Sequence, residues 1–362
     1  MLTFHCFADH VDLCLLGIGE SSDLPGDPFL NLLAFPVGFG NYETILPIDM
    51  TKLKALLHNR NFIFLLATVS GLLTDKAAPW TEPLILPGLA VVMTISTLSI
   101  PNHAFRSART MIMPAFLGSV MNYLILSGVI LILTRLMIQE PSLRAGFVLI
   151  AAVPPAVAVI PFTSLLKGNE SFTLFSTIGA YLVALMILPL MAYFFLGIQN
   201  IDPMRLMTIT GELILLPILI SRVLLLKGWH KPILPIKGPI TDWSFFLIIY
   251  TIVGLNRQLI VGNPALILPI ATIAFLSIFV LGYLIDTAGR LILVERKTLI
   301  SLTLLGTLKN YGLSGGLALI FFNRESSLPS AVCSIFLIFF IIWMDYRQKR
   351  SKHVIINLAE NT

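Results

Sequence analysis

The sequence predicts an all-α polytopic membrane protein with ten transmembrane helices. Of its 362 residues, 56% are apolar and only 12% are charged, and the mean hydropathy is +0.90. A soluble globular protein needs more polar surface than this composition supplies. Apolar segments close to the roughly 17 to 25 residues that cross a bilayer as a helix recur from residue 61 to residue 343.

The N-terminal residues 1–49 differ from the rest of the chain. They hold several acidic residues with scattered Gly and Pro, and no apolar segment long enough to cross a membrane. They also lack the basic start and the apolar core of a signal peptide. We expect a tail outside the membrane bundle, either disordered or not native, because the residues after Met50 look like a membrane protein's own beginning.

The predicted spans form two groups of five. They are 61–74, 84–100, 111–138, 145–166 and 172–197, then 206–226, 243–260, 265–284, 298–322 and 330–343. We therefore expect a first five-helix repeat over residues 50–198, a second over 199–346 and a cytoplasmic tail over 347–362. Because the first repeat has an odd number of crossings, the second repeat must be inverted relative to it.

The loops differ in charge. Most Lys and Arg residues outside the spans lie on the side that carries both termini, which we call the basic side. This asymmetry predicts cytoplasmic N- and C-termini and argues that the basic residues set topology rather than bind nucleic acid. The compact loops favour a plasma membrane of the bacterial inner-membrane type.

The fourth span carries Pro154-Pro155 in its middle and Pro161 soon after. Each proline removes a backbone donor, and its ring crowds the carbonyl four residues earlier. In a bilayer the freed backbone groups find no water, so such a break persists only inside protein or beside a cavity. We expect a discontinuous helix with its gap near mid-membrane. A proline-kinked helix without a ligand site is the alternative.

The ninth span contains Lys309 and Asn310, followed by Gly312, Gly315 and Gly316. A lysine at the centre of a transmembrane helix costs roughly 2.5 to 3.5 kcal/mol, so it must face a cavity or a partner. We expect a functional lysine, against the alternatives of a structural ion pair or a snorkelling side chain. The glycines permit either unwinding or close helix packing.

An enzyme is the rival class, and its motifs are missing. The sequence has no His-Glu-x-x-His zinc helix, no Gly-x-Ser-x-Gly nucleophile elbow and no P-loop. It also lacks the aspartate-rich pairs that would hold magnesium on a diphosphate. We therefore expect a protein that is not an enzyme.

Two stretches resemble the bile acid:sodium symporter family, part of a superfamily that includes arsenite exporters and auxin-type carriers. They are PPAVAVIPFTSLLKGN, from Pro154, and LGTLKNYGL, from Leu305. The first is similar to the family's proline-glycine break and its basic-Gly-Asn turn, here 167–169. The second is similar to the family's Gly-Met-Gln-Asn-x-Gly-Leu type motif, with two substitutions in 307–313.

The resemblance implies ten spans in two inverted repeats, with spans four and nine crossing at their unwound centres. Spans one, two, six and seven would form a panel, and the other six would form a core. The implied activity is alternating-access transport of a small organic anion or amphipath, driven by sodium in the best-known members.

This chain departs from the family at the sodium-binding positions. Val159-Ile160 stands where the family has a Ser-Asn pair, and Leu305 and Lys309 stand where it has a glutamate and a glutamine. Aliphatic side chains lack the oxygen ligands that a hard cation requires. We therefore expect no cofactor and no sodium at the usual sites, with Lys309 in the cation's place. Because desolvation can make a lysine titrate near physiological pH, proton-coupled and uncoupled transport both remain hypotheses.

The predicted substrate or coupling-ion site lies around the two breaks. Its members are Lys309, Asn310, Pro154, Pro155, Asn122, Thr163, Thr173, Thr177 and Glu212. Glu212, in span six, is either an interfacial residue at headgroup level or a proton carrier and partner for Lys309. The expected partners are a small organic anion or amphipath and the lipid bilayer. A non-transporting sensor or structural protein with the same fold is the alternative function.

Overall fold

Regular secondary structure in the described part of the chain is helical. The structure is a computed structural model that describes residues 56–98, 108–196 and 203–360. The predicted tail over residues 1–49 lies outside these ranges. Within them, one isolated β-bridge is the sole strand-like pairing, so the predicted all-α class is confirmed.

The described residues of the first half form six helices. They are α1 (Arg60–Leu73), α2 (Ala78–Leu98), α3 (108–137), α4 (Pro141–Ala152), α5 (Val159–Leu165) and α6 (Glu170–Leu196). Helix α3 contains a π-helical stretch, Val120–Leu126. Such stretches are rare and often mark functional sites.

The described residues of the second half form seven helices. They are α7 (Pro203–Leu226), α8 (Lys237–Leu255), α9 (Arg257–Gly262), α10 (Pro264–Leu291), α11 (Arg296–Leu305), α12 (Tyr311–Phe321) and α13 (Arg324–Glu360). Helix α10 also contains a π-helical stretch, Leu276–Val280. It lies in the predicted eighth span, which corresponds to the third span of the first half.

Seven helices in the described ranges are long and apolar enough to cross a membrane, namely α2, α3, α6, α7, α10, α13 and α8 with the turn before it. Three shorter apolar helices, α1, α4 and α12, lie at the predicted spans one, four and nine. The protein is therefore a multi-pass membrane protein. The count of ten spans stays a prediction.

Both predicted interruptions are present. Helix α4 ends at Ala152 and α5 begins at Val159, while α11 ends at Leu305 and α12 begins at Tyr311. The discontinuous fourth span is thus confirmed over a kinked continuous helix. The glycines of span nine lie within α12 rather than in its gap, and Gly312, Gly315 and Gly316 pack close to side chains of α2 and α8.

The most extensive helix contacts lie within the two groups that the resemblance describes as panel and core. Helix α1 packs on α8, and α2 packs on both α7 and α8. In the other group α3 packs on α6, α4 packs on α6 and α13, and α12 packs on α13. Small residues bring α3 and α6 together, because a Cβ on Gly118 would lie 2.4 Å from the Ser176 Cβ.

The helices extend beyond several predicted spans. Helix α13 runs from Arg324 to Glu360, whereas the predicted tenth span covered 330–343. Helix α10 runs to Leu291, whereas the predicted eighth span ended at 284. The predicted seventh span ended at Ile260, whereas α8 ends at Leu255 and a separate short helix follows. Hydropathy marks where a helix is apolar, and it misses the polar turns that continue the same helix.

Candidate functional site

The two interrupted segments meet through their backbones. Pro155 and Lys309 form an antiparallel β-bridge. The Asn310 N–H donates to the Pro154 carbonyl at 3.0 Å, and the Ala156 N–H donates to the Leu308 carbonyl at 3.2 Å. Proline has no N–H, so the fourth span accepts through Pro154 and donates through Ala156, the residue after the proline pair. The crossing of spans four and nine is therefore hydrogen-bonded in the middle of the bundle.

The Lys309 ammonium is enclosed at this crossing. The residue is 0% exposed, and its Nζ donates to Asn122 Oδ1 at 2.7 Å, the Ala151 carbonyl at 2.8 Å and the Val153 carbonyl at 2.9 Å. It also lies 4.5 Å from the centroid of the Tyr123 ring. The two carbonyls belong to the carboxyl end of α4, where the last carbonyls lack helical partners and the helix dipole is negative.

Asn122 connects this ammonium to the second interrupted helix. The side chain lies in the π-helical stretch of α3 and is 0% exposed. Its Nδ2 donates to the Leu305 carbonyl at the end of α11, at 3.1 Å. The Ser127 hydroxyl, 2.6 Å from the Ala151 carbonyl, completes the cluster. The carboxyl ends of α4 and α11 are thus held by one amide and one ammonium.

Asn310 and Tyr181 form the other side of the crossing. Asn310 Oδ1 accepts from the Leu313 N–H and so caps α12, while its Nδ2 donates to the Tyr181 hydroxyl at 3.3 Å. The Tyr181 hydroxyl donates to the Pro155 carbonyl at 3.0 Å. The Tyr181 ring packs with apolar residues that include Val92 of α2. It therefore connects the panel to the crossing.

The threonines of the predicted site lie together, but in a separate cluster. Thr163 and Thr173 are buried with their hydroxyls 3.0 Å apart, which joins α5 to α6. The Thr177 hydroxyl donates to the Thr173 carbonyl at 2.7 Å. Glu212 is exposed on α7. The structure brings together Lys309, Asn122 and the proline pair, and it does not bring Glu212 into contact with Lys309.

A cavity of about 470 Å³ lies between panel helices α1, α2 and α8 and core helices α5 and α6, at the basic side. Its polar lining consists of Arg60, Lys237, Glu170, Ser96, Ser164 and Thr241. None of these residues belonged to the predicted site. In the sequence, Arg60 is one of several basic residues outside the spans, and its contribution to a cavity depends on the position of distant helices.

An ion pair joins two panel helices beside this cavity. Arg60 Nε donates to Asp242 Oδ1 at 2.5 Å, and the two side chains are 23% and 7% exposed. The Arg60 guanidinium also lies 5.8 Å from the centroid of the Phe162 ring on α5. One side chain therefore contacts α8 of the panel and α5 of the core.

The oxygen atoms nearest Lys309 at the crossing already have hydrogen-bond donors. The Asn122 oxygen and the Ala151 and Val153 carbonyls already accept from an ammonium group, and that positive charge opposes a second cation. The hydroxyls of Thr163 and Thr173 bond each other. Among the described residues, no group of three or more His, Cys, Asp or Glu side chains could hold a metal ion.

Two comparisons with known proteins bear on the resemblance that the sequence suggested. The model of the sodium bile acid symporter family matches residues 86–263. The chain is also similar to an Arabidopsis thaliana protein named "Probable sodium/metabolite cotransporter BASS1, chloroplastic", with 22% identity over 223 residues. That alignment covers 60% of this chain and 56% of the relative, so it spans little more than half of the relative's length. The predicted resemblance to the sodium bile acid symporter family, a family of transporters and not of enzymes, is thus confirmed. The matched residues include the first helix break, and the second break lies beyond them.

Proposed function

We propose that this protein is a secondary transporter that moves a small organic anion or amphipath by alternating access, with the Lys309 ammonium in the place of a coupling cation. The family and the relative named as a sodium/metabolite cotransporter support the transport activity. The crossing of two interrupted helices supports the mechanism, because transporters of this construction place their sites at such breaks.

The observation that carries the proposal is the fit of the ammonium to its surroundings. A charged lysine has three N–H donors, and the site presents three oxygen acceptors within 2.9 Å of Nζ. Loss of a proton would leave one N–H too few for these acceptors. The structure therefore favours a fixed positive charge, which makes uncoupled transport the first hypothesis and proton coupling the second.

Sodium coupling at this crossing is unfavourable for an electrostatic reason. Two unit charges of the same sign about 4 Å apart repel by about 4 kcal/mol at an effective dielectric constant of 20. A sodium ion would also compete for carbonyls that already accept from Lys309. We propose that the substrate binds without this ion, in the 470 Å³ cavity, where Arg60 and Lys237 would attract an anion.

The cavity replaces Lys309 as the proposed contact for the substrate. The ammonium is fully enclosed and its donors are used, so it organises the crossing beside the cavity instead. The termini would face the cytoplasm of a bacterial-type plasma membrane, as the charge asymmetry predicts.

Uptake into proteoliposomes tests the proposal. Radiolabelled cholate serves as the amphipathic probe, with a short monocarboxylate as the small anion, under an inward sodium gradient, an inward proton gradient, or neither. We expect uptake that does not change when sodium is replaced by potassium. Lys309→Ala should abolish uptake, whereas Lys76→Ala, in an exposed loop, should retain it.

The other outcomes separate the alternatives. Strict dependence on sodium would falsify the replacement of the cation by Lys309. Stimulation by the proton gradient alone would select proton coupling. Saturable binding of a probe without flux would support the non-transporting sensor.

A further inference from the structure

A narrow cleft lies at the basic side of the bundle, between the ends of α10, α11 and α13. It is lined by Asp286 and Arg290 from α10, Arg296 from α11, and Trp343 and Arg347 from α13. The space inside is about 30 Å³, so a larger ligand would insert one group and lie along the surface. Three guanidinium groups share this cleft with one carboxylate.

The carboxylate does not balance the cluster. Asp286 Oδ2 accepts from Arg290 at 2.7 Å and from Arg347 at 3.3 Å, and the Arg347 guanidinium lies 4.7 Å from the Trp343 ring centroid. Arg296 is exposed and has no ion-pair partner among the residues that the structure describes. Its guanidinium carries five N–H donors, so Arg296 can donate to an anion.

The surroundings of the cleft are apolar and exposed. The end of α10 and the turn after it present Leu291, Ile292 and Leu293, which are 79%, 75% and 90% exposed. About two turns before Leu291 on the same helix, Tyr283 and Leu284 are each 55% exposed. Transfer of apolar side chains from water to the acyl chains of a bilayer is favourable. The cleft therefore borders lipid.

Helix length places the cleft at headgroup depth. Arg347 follows Arg324, the first residue of α13, by about 35 Å at a helical rise of 1.5 Å per residue. The hydrocarbon core of a bilayer is about 30 Å thick. The arginines therefore reach the level of lipid phosphates, and Trp343 lies where interfacial tryptophans are common.

We propose that this cleft binds the phosphate of an anionic phospholipid. Arginine forks match phosphate oxygens, and basic pockets between transmembrane helices suit anionic headgroups. Free inorganic phosphate offers the same chemistry at the arginines. The exposed apolar residues beside the cleft favour the lipid, since they give its acyl chains a surface to cover.

Fluorescence quenching of Trp343 tests the proposal without a transport substrate. In the full chain, Trp80, Trp229 and Trp243 are replaced by Phe, so that Trp343 is the sole tryptophan. The protein is reconstituted in phosphatidylcholine vesicles that contain either brominated phosphatidylglycerol or brominated phosphatidylcholine at the same mole fraction. We expect the anionic lipid to quench Trp343 at a several-fold lower mole fraction, in the presence or absence of millimolar inorganic phosphate.

Variants distinguish the cleft from general surface charge. Arg296→Gln combined with Arg347→Gln should remove the preference for the anionic lipid. Arg296→Gln alone breaks no ion pair of the described residues and should weaken the preference, which keeps the test valid if the double variant folds poorly. Arg135→Gln removes an exposed arginine at the far end of α3 and should change nothing.

Three results would overturn the proposal. They are equal quenching by the two lipids, a preference that the cleft variants retain, and a preference that inorganic phosphate abolishes. The last result would make free phosphate the ligand. None of them bears on the transport proposal, because no transport is measured.

Discussion

Asn122 and Lys309 meet at the centre of the crossing, with Asn122 Oδ1 2.7 Å from Lys309 Nζ. The same amide donates to the Leu305 carbonyl, so one side chain satisfies a buried charge and a buried carbonyl. We expect the nearly isosteric Asn122→Leu to destabilise the protein by about 3 kcal/mol, since both partners lose a hydrogen bond in a dry site. Unfolding in detergent, followed by circular dichroism, measures this loss.

A second asparagine provides the control for that substitution. Asn263 caps α10 in an exposed turn, where its Oδ1 accepts from the Leu266 N–H at 3.2 Å. Asn263→Ala should cost about 1 kcal/mol, which is typical of a lost helix cap. Equal losses from the two variants would show that the Asn122 amide does not hold the crossing together.

The ammonium site of Lys309 can be tested by chemical rescue. Lys309→Ala leaves three oxygen acceptors around a cavity, and we expect a lower melting temperature. Methylammonium chloride should raise that temperature, because its –NH₃⁺ group restores the three donors. Tetramethylammonium chloride carries the same charge without any N–H, so it should not. The unchanged protein is the control. If the two salts shift the melting temperature of Lys309→Ala equally, and by as much as they shift that of the unchanged protein, Lys309 does not stabilise the crossing through these hydrogen bonds.

The sequence alone predicts the helix breaks but not the environment of the lysine. The proline pair and Lys309-Asn310 stand out because they are costly in a bilayer, and both breaks are present. The acceptors of the ammonium are two backbone carbonyls and one amide from a different span. Backbone carbonyls leave no mark in a sequence, so their role depends on knowing where α4 ends.

Tyr181 of core helix α6 and Asp242 of panel helix α8 were missed for a different reason. Tyr181 resembles any other aromatic residue of an apolar helix, and Asp242 precedes Trp243 at what looks like a polar span end. Their importance depends on contacts with residues distant in sequence. Tyr181 contacts the crossing, and Asp242 contacts Arg60. Glu212 shows the converse, since a charge within a span suggested function, yet the side chain is exposed on α7.

The Tyr181 hydroxyl should restrain the crossing. Tyr181→Phe keeps the ring packing and removes the hydroxyl that bonds Pro155 and Asn310. We expect faster amide hydrogen exchange, by several-fold, in the peptides that contain Ala156 and residues 310–313, measured by mass spectrometry. Tyr123→Phe is the matched control, because its hydroxyl donates only to the Ala180 carbonyl within α6. Unchanged exchange in Tyr181→Phe would contradict a restraining role.

The pair formed by Arg60 and Asp242 should stabilise the panel. A double-mutant cycle with Arg60→Gln and Asp242→Asn should give a coupling energy of about 1 to 2 kcal/mol, above the range of exposed pairs because Asp242 is nearly buried. High salt should reduce the coupling only in part, since screening is weaker for buried charges. A coupling energy near zero would mean that Asp242 is stabilised by other groups.

Close packing of α4 on α13 gives a prediction about stability. A Cβ on Gly146 would lie 2.2 Å from the Ser326 carbonyl oxygen and 3.0 Å from Pro329, so Gly146→Ala must push the start of α13 away from α4. We expect a loss of about 3 kcal/mol, because backbone cannot shift as a side chain can. Gly211→Ala is the matched change, with no atom within 4 Å of the new methyl group. It should stabilise α7 by about 0.5 to 1 kcal/mol through its helix propensity. Equal melting temperatures of the two variants in detergent would show that α4 and α13 are not in contact at Gly146.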